Sequence, residues 1–263
     1  MDTTNWLRQD KDKPLFPDTL WSRPENKRHA GKLLIIGGHS QSFSAASRAF
    51  TAASAAGAGH VRIVLPDALQ KSIGKLFPEA EFAPSTPIGS FGRQALDTLL
   101  DLAAWSDAVL LAGDFGKNSE TQVLLEAFVD KYSGLLCATG DSLDYFAQHS
   151  DQMTIRENTL LVGDLSSIQK LAQPKVAIQQ TADLVQILNK LSIFTSDIEA
   201  NIVTAASSKI IVATGDKVST TAAKDGRVEP ELAAYTSVWL MQQPGKPFEA
   251  INTAIFELVQ SKS

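Results

Sequence analysis

"GKLLIIGGHSQSFSAASRAFTAASAAGAGHVRIVLPD", Gly31 to Asp67, decides the fold. Leu33–Ile36 is apolar without alternation, and Gly37-Gly38 ends the run. A polar turn follows, then a helix from about Ser44 to Ala56 made mostly of Ala and Ser, then Gly57-Ala58-Gly59 and a second apolar run, Val61–Leu65. A strand that is apolar at every position is covered on both faces, as in a parallel sheet, and strand–helix–strand is the unit that builds one. In such sheets ligands sit beyond the carboxyl ends of the strands, at a switch point. Gly37 and Gly38 end the first strand, where the lack of side chains lets backbone approach a ligand closely. Neither common phosphate cradle is present: "GGHSQS" is not G-x-G-x-x-G, and no G-K-S/T follows.

The same alternation continues outward. Apolar runs at Ala108–Leu111, Leu135–Ala138 and Leu160–Val162 read as strands, with "KVAIQ", "NIVTAAS" and "KIIVATG" after them. Helical patterns fill the intervals near 68–77, 94–104, 120–131, 142–149, 166–172 and 181–191, and two helices close the chain after a polar hairpin region at Asp225-Gly226. Residues 1–30 form a polar arm carrying Trp and Pro, expected to wrap an edge or a neighbouring subunit. Residues 31–263 show no internal linker and read as one α/β domain, a three-layer α/β/α sandwich with a mostly parallel central sheet.

Composition narrows the function classes. The chain has 263 residues, 44% hydrophobic and 20% charged, enough for a sizeable core. A net charge of -5 argues against a phosphate-backbone binder, so no nucleic-acid partner is expected. The start lacks a basic-then-apolar leader pattern and no run is long enough to span a bilayer, so a cytoplasmic protein with no membrane partner is expected. Cys137, the single cysteine, sits in "GLLCATG" and reads as a buried strand residue, and the four histidines have no ligand spacing, so no metal site of protein ligands is expected.

The opening stretch resembles the NAD(P)H-hydrate dehydratase family, the carbohydrate kinase domain of the ribokinase-like superfamily, which opens with G-K-V-L-V-I-G-G-S, an Ala-rich helix and G-A-G. "SDAVLLAGDFGKN" is similar to that family's A-D-A-V-V-I-G-P-G-L-G-R-D, and "LLCATGDSLDYFA" to V-V-L-D-A-D-A-L-N-L-L-A, with Asp141 at the second acidic position. "NTLLVGDLSSIQKLA" takes the place of T-V-L-T-P-H-P-G-E-F-A-R-L, and "SKIIVATGDKVSTTAAKDGRV" that of V-V-V-L-K-G-A-G-T-V-I-A-A-P-D-G-R-V. The resemblance runs from about Lys27 to Leu258. It implies the ribokinase-like fold, removal of water from hydrated NADH or NADPH driven by ADP or ATP, with Mg2+ as a further cofactor, and assembly as a homo-oligomer. By position it implies substrate contacts at Gly37, Gly38, Ala45, Gly116 and Asp164, and a nucleotide loop at Thr214, Gly215, Asp216 and Lys217.

The departures fall on the catalytic groups. The family's A-G-T-G-D opens a helix, its amides forming an anion hole and its Asp taking a proton. Here "RVEPELAAYTSVWL" stands at that helix start, with Glu231 at the aspartate position and Val228, Glu229 and Pro230 in place of the glycines and threonine. Pro230 has no amide to donate, and Glu229 would repel a phosphate. Asp164 and Ser167 replace the histidine and glutamate of H-P-G-E, and the loop lysine of K-G-A-G-T is gone, with Lys217 close by. The tetrapeptide "ATGD" occurs at Ala138–Asp141 and at Ala213–Asp216, each after an apolar strand rather than before a long helix. The expectation is a divergent dehydratase-like protein of weak or lost activity, with Glu231 as its candidate base. The alternatives are a nucleotide-binding or structural pseudoenzyme of the same fold and a small-molecule kinase of the superfamily.

Overall fold

A computed structural model of the chain describes residues 6–173, 175–179, 182–223 and 230–261. Ten strands form one sheet: β1 (Trp6–Gln9), β2 (Lys32–Gly37), β3 (His60–Pro66), β4 (Ala80–Ala83), β5 (Ala108–Gly113), β6 (Leu135–Thr139), β7 (Thr159–Val162), β8 (Asn201–Ala206), β9 (Lys209–Thr214) and β10 (Lys217–Ala222). Their order is β1-β10-β9-β8-β7-β6-β5-β2-β3-β4. All neighbours are parallel except those of β9, which runs against β8 and β10. The chain enters the parallel set at β2, builds β3 and β4 to one side, then crosses to β5 on the other. The switch point therefore lies between β2 and β5, where Gly37 pairs with Gly113.

Helices cover both faces. They are α1 (Pro17–Trp21), α2 (Ser44–Ala55), α3 (Gln70–Ile73), α4 (Ala95–Trp105), α5 (Ser119–Lys131), α6 (Ser142–Tyr145), α7 (Asp151–Thr154), α8 (Leu165–Ala172), α9 (Leu184–Ser196), α10 (Pro230–Gln242) and α11 (Pro247–Ser261). Alternate residues of β2 serve the two cores: Leu34 and Ile36 pack with residues of α4, α5, α8 and α9, and Leu33 and Ile35 with those of α2, α10 and α11. The Ala-rich sequence of α2 has its use here, since Ala46, Ala49 and Ala53 are fully buried in the second core. Small side chains let α2 lie close to the sheet and to α10, itself buried from Leu232 to Leu240.

The five apolar runs expected as strands all lie in strands, and Cys137 is buried on β6. Burial pushes the Cys137 thiol up to about 12, which leaves it inert at neutral pH. Three elements differ from the sequence reading. The expected strand "KVAIQ", 175–179, does not form; Val176 and Ile178 are buried against the first core with no strand partner. Trp6–Gln9 of the arm forms edge strand β1, held by Gln9 Nε2 donating to Asn252 O (2.9 Å), while further along the arm Arg23 bridges Glu257 and the Ala56 carbonyl. The short edge strand β4 was not visible in the pattern of the sequence. The hairpin region at Asp225-Gly226 lies outside the described residues, as do Val228 and Glu229.

Candidate functional site

The carboxyl ends of β5, β6 and β7 open into a cleft of about 350 Å³, lined by Ala45, Gly113, Asp114, Gly140, Asp141, Asp144, Gly163, Asp164, Ser167 and Pro230, with Ala112 and Thr139 at its floor. The glycines behind it have steric reasons. Gly38 (φ +95°) turns the chain away from β2 and donates its N–H to Gly113 O at 3.0 Å. A Cβ on Gly37 would stand 2.6 Å from that same carbonyl oxygen, so no other residue fits there without moving backbone.

Asp114 organises the cleft's wall. It adopts φ +59°, the left-handed region that short polar residues tolerate. Its Oδ2 accepts from Ser42 Oγ (2.7 Å) and from the Ala45 N–H (2.9 Å) in the first turn of α2. Its carbonyl lies 2.8 Å from His39 Nδ1, which assigns the ring proton to Nδ1 when the imidazole is neutral. In the alignment with G-P-G-L-G, Asp114 stands at the middle glycine. The carboxylate thus fills the place at the helix start that glycine leaves open.

Asp141 lies on the next strand end. Its two oxygens accept from Phe115 N (3.3 Å) and Gly116 N (3.1 Å). Burial raises its carboxyl above the usual range and the Asp114 charge adds to this, against the lowering effect of the two amides and of His39. Asp164 behaves oppositely. Burial would raise it, but the Ser167 amide (2.7 Å), the Ser166 hydroxyl (2.9 Å) and Lys170 hold it below its ordinary value, and it caps α8. Asp144 pairs with Lys170 at 2.7 Å. Among the described residues every charged one lining the cleft is an aspartate, and no group of three His, Cys, Asp or Glu is placed to hold a metal ion.

The expected site residues divide into three sets. Ala45 and Asp164 line the cleft, whereas Gly37 and Gly38 do not line it and sit behind it, packed on Gly113 at the switch point. Gly116 (φ +71°) lines an adjoining cavity of about 410 Å³ that shares Asp141 and Asp144 with the cleft and has Tyr145 as its aromatic wall; the Tyr145 hydroxyl donates to Gly116 O. Glu231 follows cleft-lining Pro230 in α10, and both its oxygens are taken by the Arg48 guanidinium of α2, at 2.6 and 2.8 Å. The third set is elsewhere. Because β9 is reversed, Thr214 and Gly215 lie at the amino end of the parallel strands, beside Leu135, Asn158 and Asn201. Asp216 and Lys217 belong to the same turn, which packs on α9 through Ser192 Oγ donating to Asp216 O (2.8 Å). The structure does not bring Thr214, Gly215, Asp216 and Lys217 together with the cleft. It is the end of β8, at Ala206, that faces the cleft's side of the sheet.

Sequence reasoning missed His39, Asp114 and Arg48. The signal for Asp114 was present, as a charged residue at a glycine position of the aligned loop; His39 and Arg48 become visible only when the turn and the two helices are placed.

The family model for the NAD(P)H-hydrate dehydratase carbohydrate kinase domain matches residues 33–228, ending two residues before α10. A bifunctional NAD(P)H-hydrate repair enzyme of Methanothermobacter thermautotrophicus is 33% identical over 96 residues, 36% of this chain; that stretch spans only 18% of the relative's length. Among solved structures, a ribokinase-like superfamily protein of Enterococcus faecalis superposes with a TM-score of 0.74 at 17% identity, covering 99% of this chain and 88% of the other. The ADP/ATP-dependent NAD(P)H-hydrate dehydratase of Bacillus subtilis, co-crystallised with ATP and Mg2+, gives 0.62 at 14% identity, covering 94% and 87%. The switch-point cleft, the ribokinase-like sheet and the long family match agree: this chain belongs to the NAD(P)H-hydrate dehydratase family.

Proposed function

We propose that the chain is a divergent dehydratase-like protein whose cleft takes a small nucleotide-type metabolite, and whose ADP- or ATP-driven removal of water from hydrated NADH or NADPH is weak or lost. One observation carries this: donors that a phosphoryl group would use are already bound to the protein's own carboxylates. Asp114 holds the Ala45 amide at the start of α2, Asp164 holds the Ser167 amide at the start of α8, and Glu231 holds the Nε and one terminal nitrogen of Arg48. Phosphoryl transfer is mostly positioning and charge stabilisation, and removing one preorganised donor costs on the order of a hundred- to a thousandfold in rate. At α10, Pro230 has no N–H at the first helical position.

A polyphosphate does not fit this donor set, because four aspartates face the space it would fill. Mg2+ held by phosphates and one or two carboxylates would ease the repulsion, but the described residues form no cage of their own for it. Glu231 is not poised as a base while its oxygens are bound to Arg48. Among the described residues no helix is long and apolar enough to cross a membrane. By resemblance to the family, the protein is proposed to be a cytoplasmic homo-oligomer. The test is recovery of NADH absorbance from hydrated NADH with ADP or ATP and Mg2+. The expected result is a rate at or near the uncatalysed one; robust turnover abolished by Glu231→Gln would overturn the reading and restore Glu231 as the base.

A further inference from the structure

We propose that Arg48 is an anion-recognition residue at the mouth of the cleft, with Glu231 as its internal competitor, so that a phosphate-bearing small molecule binds by displacing Glu231 from the guanidinium. Arg48 lies one helical turn after Ala45, and Glu231 directly follows Pro230; Ala45 and Pro230 both line the cleft. The Nε and one terminal nitrogen of Arg48 meet the two carboxylate oxygens at 2.6 and 2.8 Å, the side-on fork that a phosphate also accepts. Among the described residues no lysine or arginine lines the cleft itself, and the neighbouring Lys170 is engaged by Asp144 at 2.7 Å. Among the described residues, Arg48 is thus the cation best placed to draw an anion to this edge.

The pair is also easy to open. The Arg48 side chain is 44% exposed and that of Glu231 is 22% exposed, so water reaches both partners. Such pairs contribute little, and releasing one costs at most about fivefold in affinity. An incoming dianion carries more charge than the carboxylate it replaces. Glu231, freed, would turn to solvent rather than remain buried and unpaired. Recognition at Arg48 needs no turnover, so it stands or falls separately from the dehydratase reading.

Calorimetric titration of inorganic phosphate, and in a second arm ADP, into wild type, Glu231→Gln and the double variant Arg48→Gln/Glu231→Gln tests this. Thermal melts of each variant confirm that the fold persists. Glu231→Gln keeps the shape and removes the competing charge. It should bind phosphate roughly two- to fivefold tighter than wild type, and the double variant should lose that gain. A gain for both titrants assigns the site to nucleotide phosphates, and a gain for inorganic phosphate alone assigns it to free phosphate or small phosphomonoesters. No gain in Glu231→Gln, or a gain that survives loss of Arg48, would overturn the proposal.

Discussion

Gly37-Gly38 and Gly215 both end an apolar strand, yet the space around them differs in kind. A Cβ on Gly37 would stand 2.6 Å from Gly113 O, and one on Gly38 would meet Leu65 and Phe43 at 3.2 Å. A Cβ on Gly215 meets nothing within 4 Å. The first turn is packed into the switch point between β2 and β5; the second is a hairpin tip between β9 and β10. Strand direction makes the difference. β2 runs with the parallel set and delivers its glycines to the ligand end, and β9 runs against β8 and delivers Gly215 to the other end. A glycine after an apolar run marks a ligand end only when the strand is parallel to its neighbours.

Substitutions at the two turns should separate accordingly. Gly37→Ala forces backbone apart at the switch point, an overpacking cost of about 2–3 kcal/mol. In a chain of this size that lowers Tm by roughly 5–10 °C in a thermal melt; an unchanged Tm would show that the turn is loose. At the cleft wall, Asp164→Ala removes the α8 cap and should cost about 1 kcal/mol in denaturant unfolding. Its pH dependence has a definite sign. Asp164 is held below its ordinary value in the fold, so its contribution is present above the usual carboxylate range and fades as pH falls through the folded value. Wild type and Asp164→Ala should therefore converge in acid.

Asp141 should show the reverse slope. Its carboxyl is raised in the fold, so the favourable, protonated contribution exists at low pH and is lost as pH rises through the folded value. Asp141→Asn should compare better with wild type at neutral pH than in acid, read from the same unfolding curves at two pH values. The smallest effect belongs to Gly215→Ala. The left-handed φ of +55° costs an alanine about 1–2 kcal/mol, and the stiffer unfolded chain returns about 0.4–1, leaving about 0–1.6 kcal/mol with no change in ligand binding. A large loss of binding in Gly215→Ala would mean that the two turns share a site after all.

The parallel core was legible because its strands are apolar at every position, a pattern with few other solutions. Edge strands β1 and β4 were not, since each is four residues long and only partly buried. "KVAIQ" misled because two buried side chains, Val176 and Ile178, imitate a strand while packing as irregular chain. Near the site, the tight turn of Gly37 and Gly38 could be placed at the strand end because a close helix demands small residues there, but of the three expected contacts Gly37, Gly38 and Ala45 only Ala45 lines the cleft. The role of Asp114 could not, because it depends on a left-handed residue of one strand end reaching the first turn of a helix 69 positions earlier. Thr214–Lys217 was misplaced relative to the cleft because the reversal of β9 is invisible in a run as apolar as "KIIVATG".

Asp141 and Asp164 thus do opposite things electrostatically, while Asp114 and Asp164 both occupy helix-start amides that an anionic ligand would otherwise meet. The most direct measurement is a calorimetric titration of ATP with Mg2+ into wild type and Asp114→Gly, since glycine accepts the φ of +59° without strain. If internal carboxylates hold the donors, wild type binds weakly and Asp114→Gly binds at least tenfold more tightly. Tight binding by wild type that Asp114→Gly leaves unchanged would contradict the account.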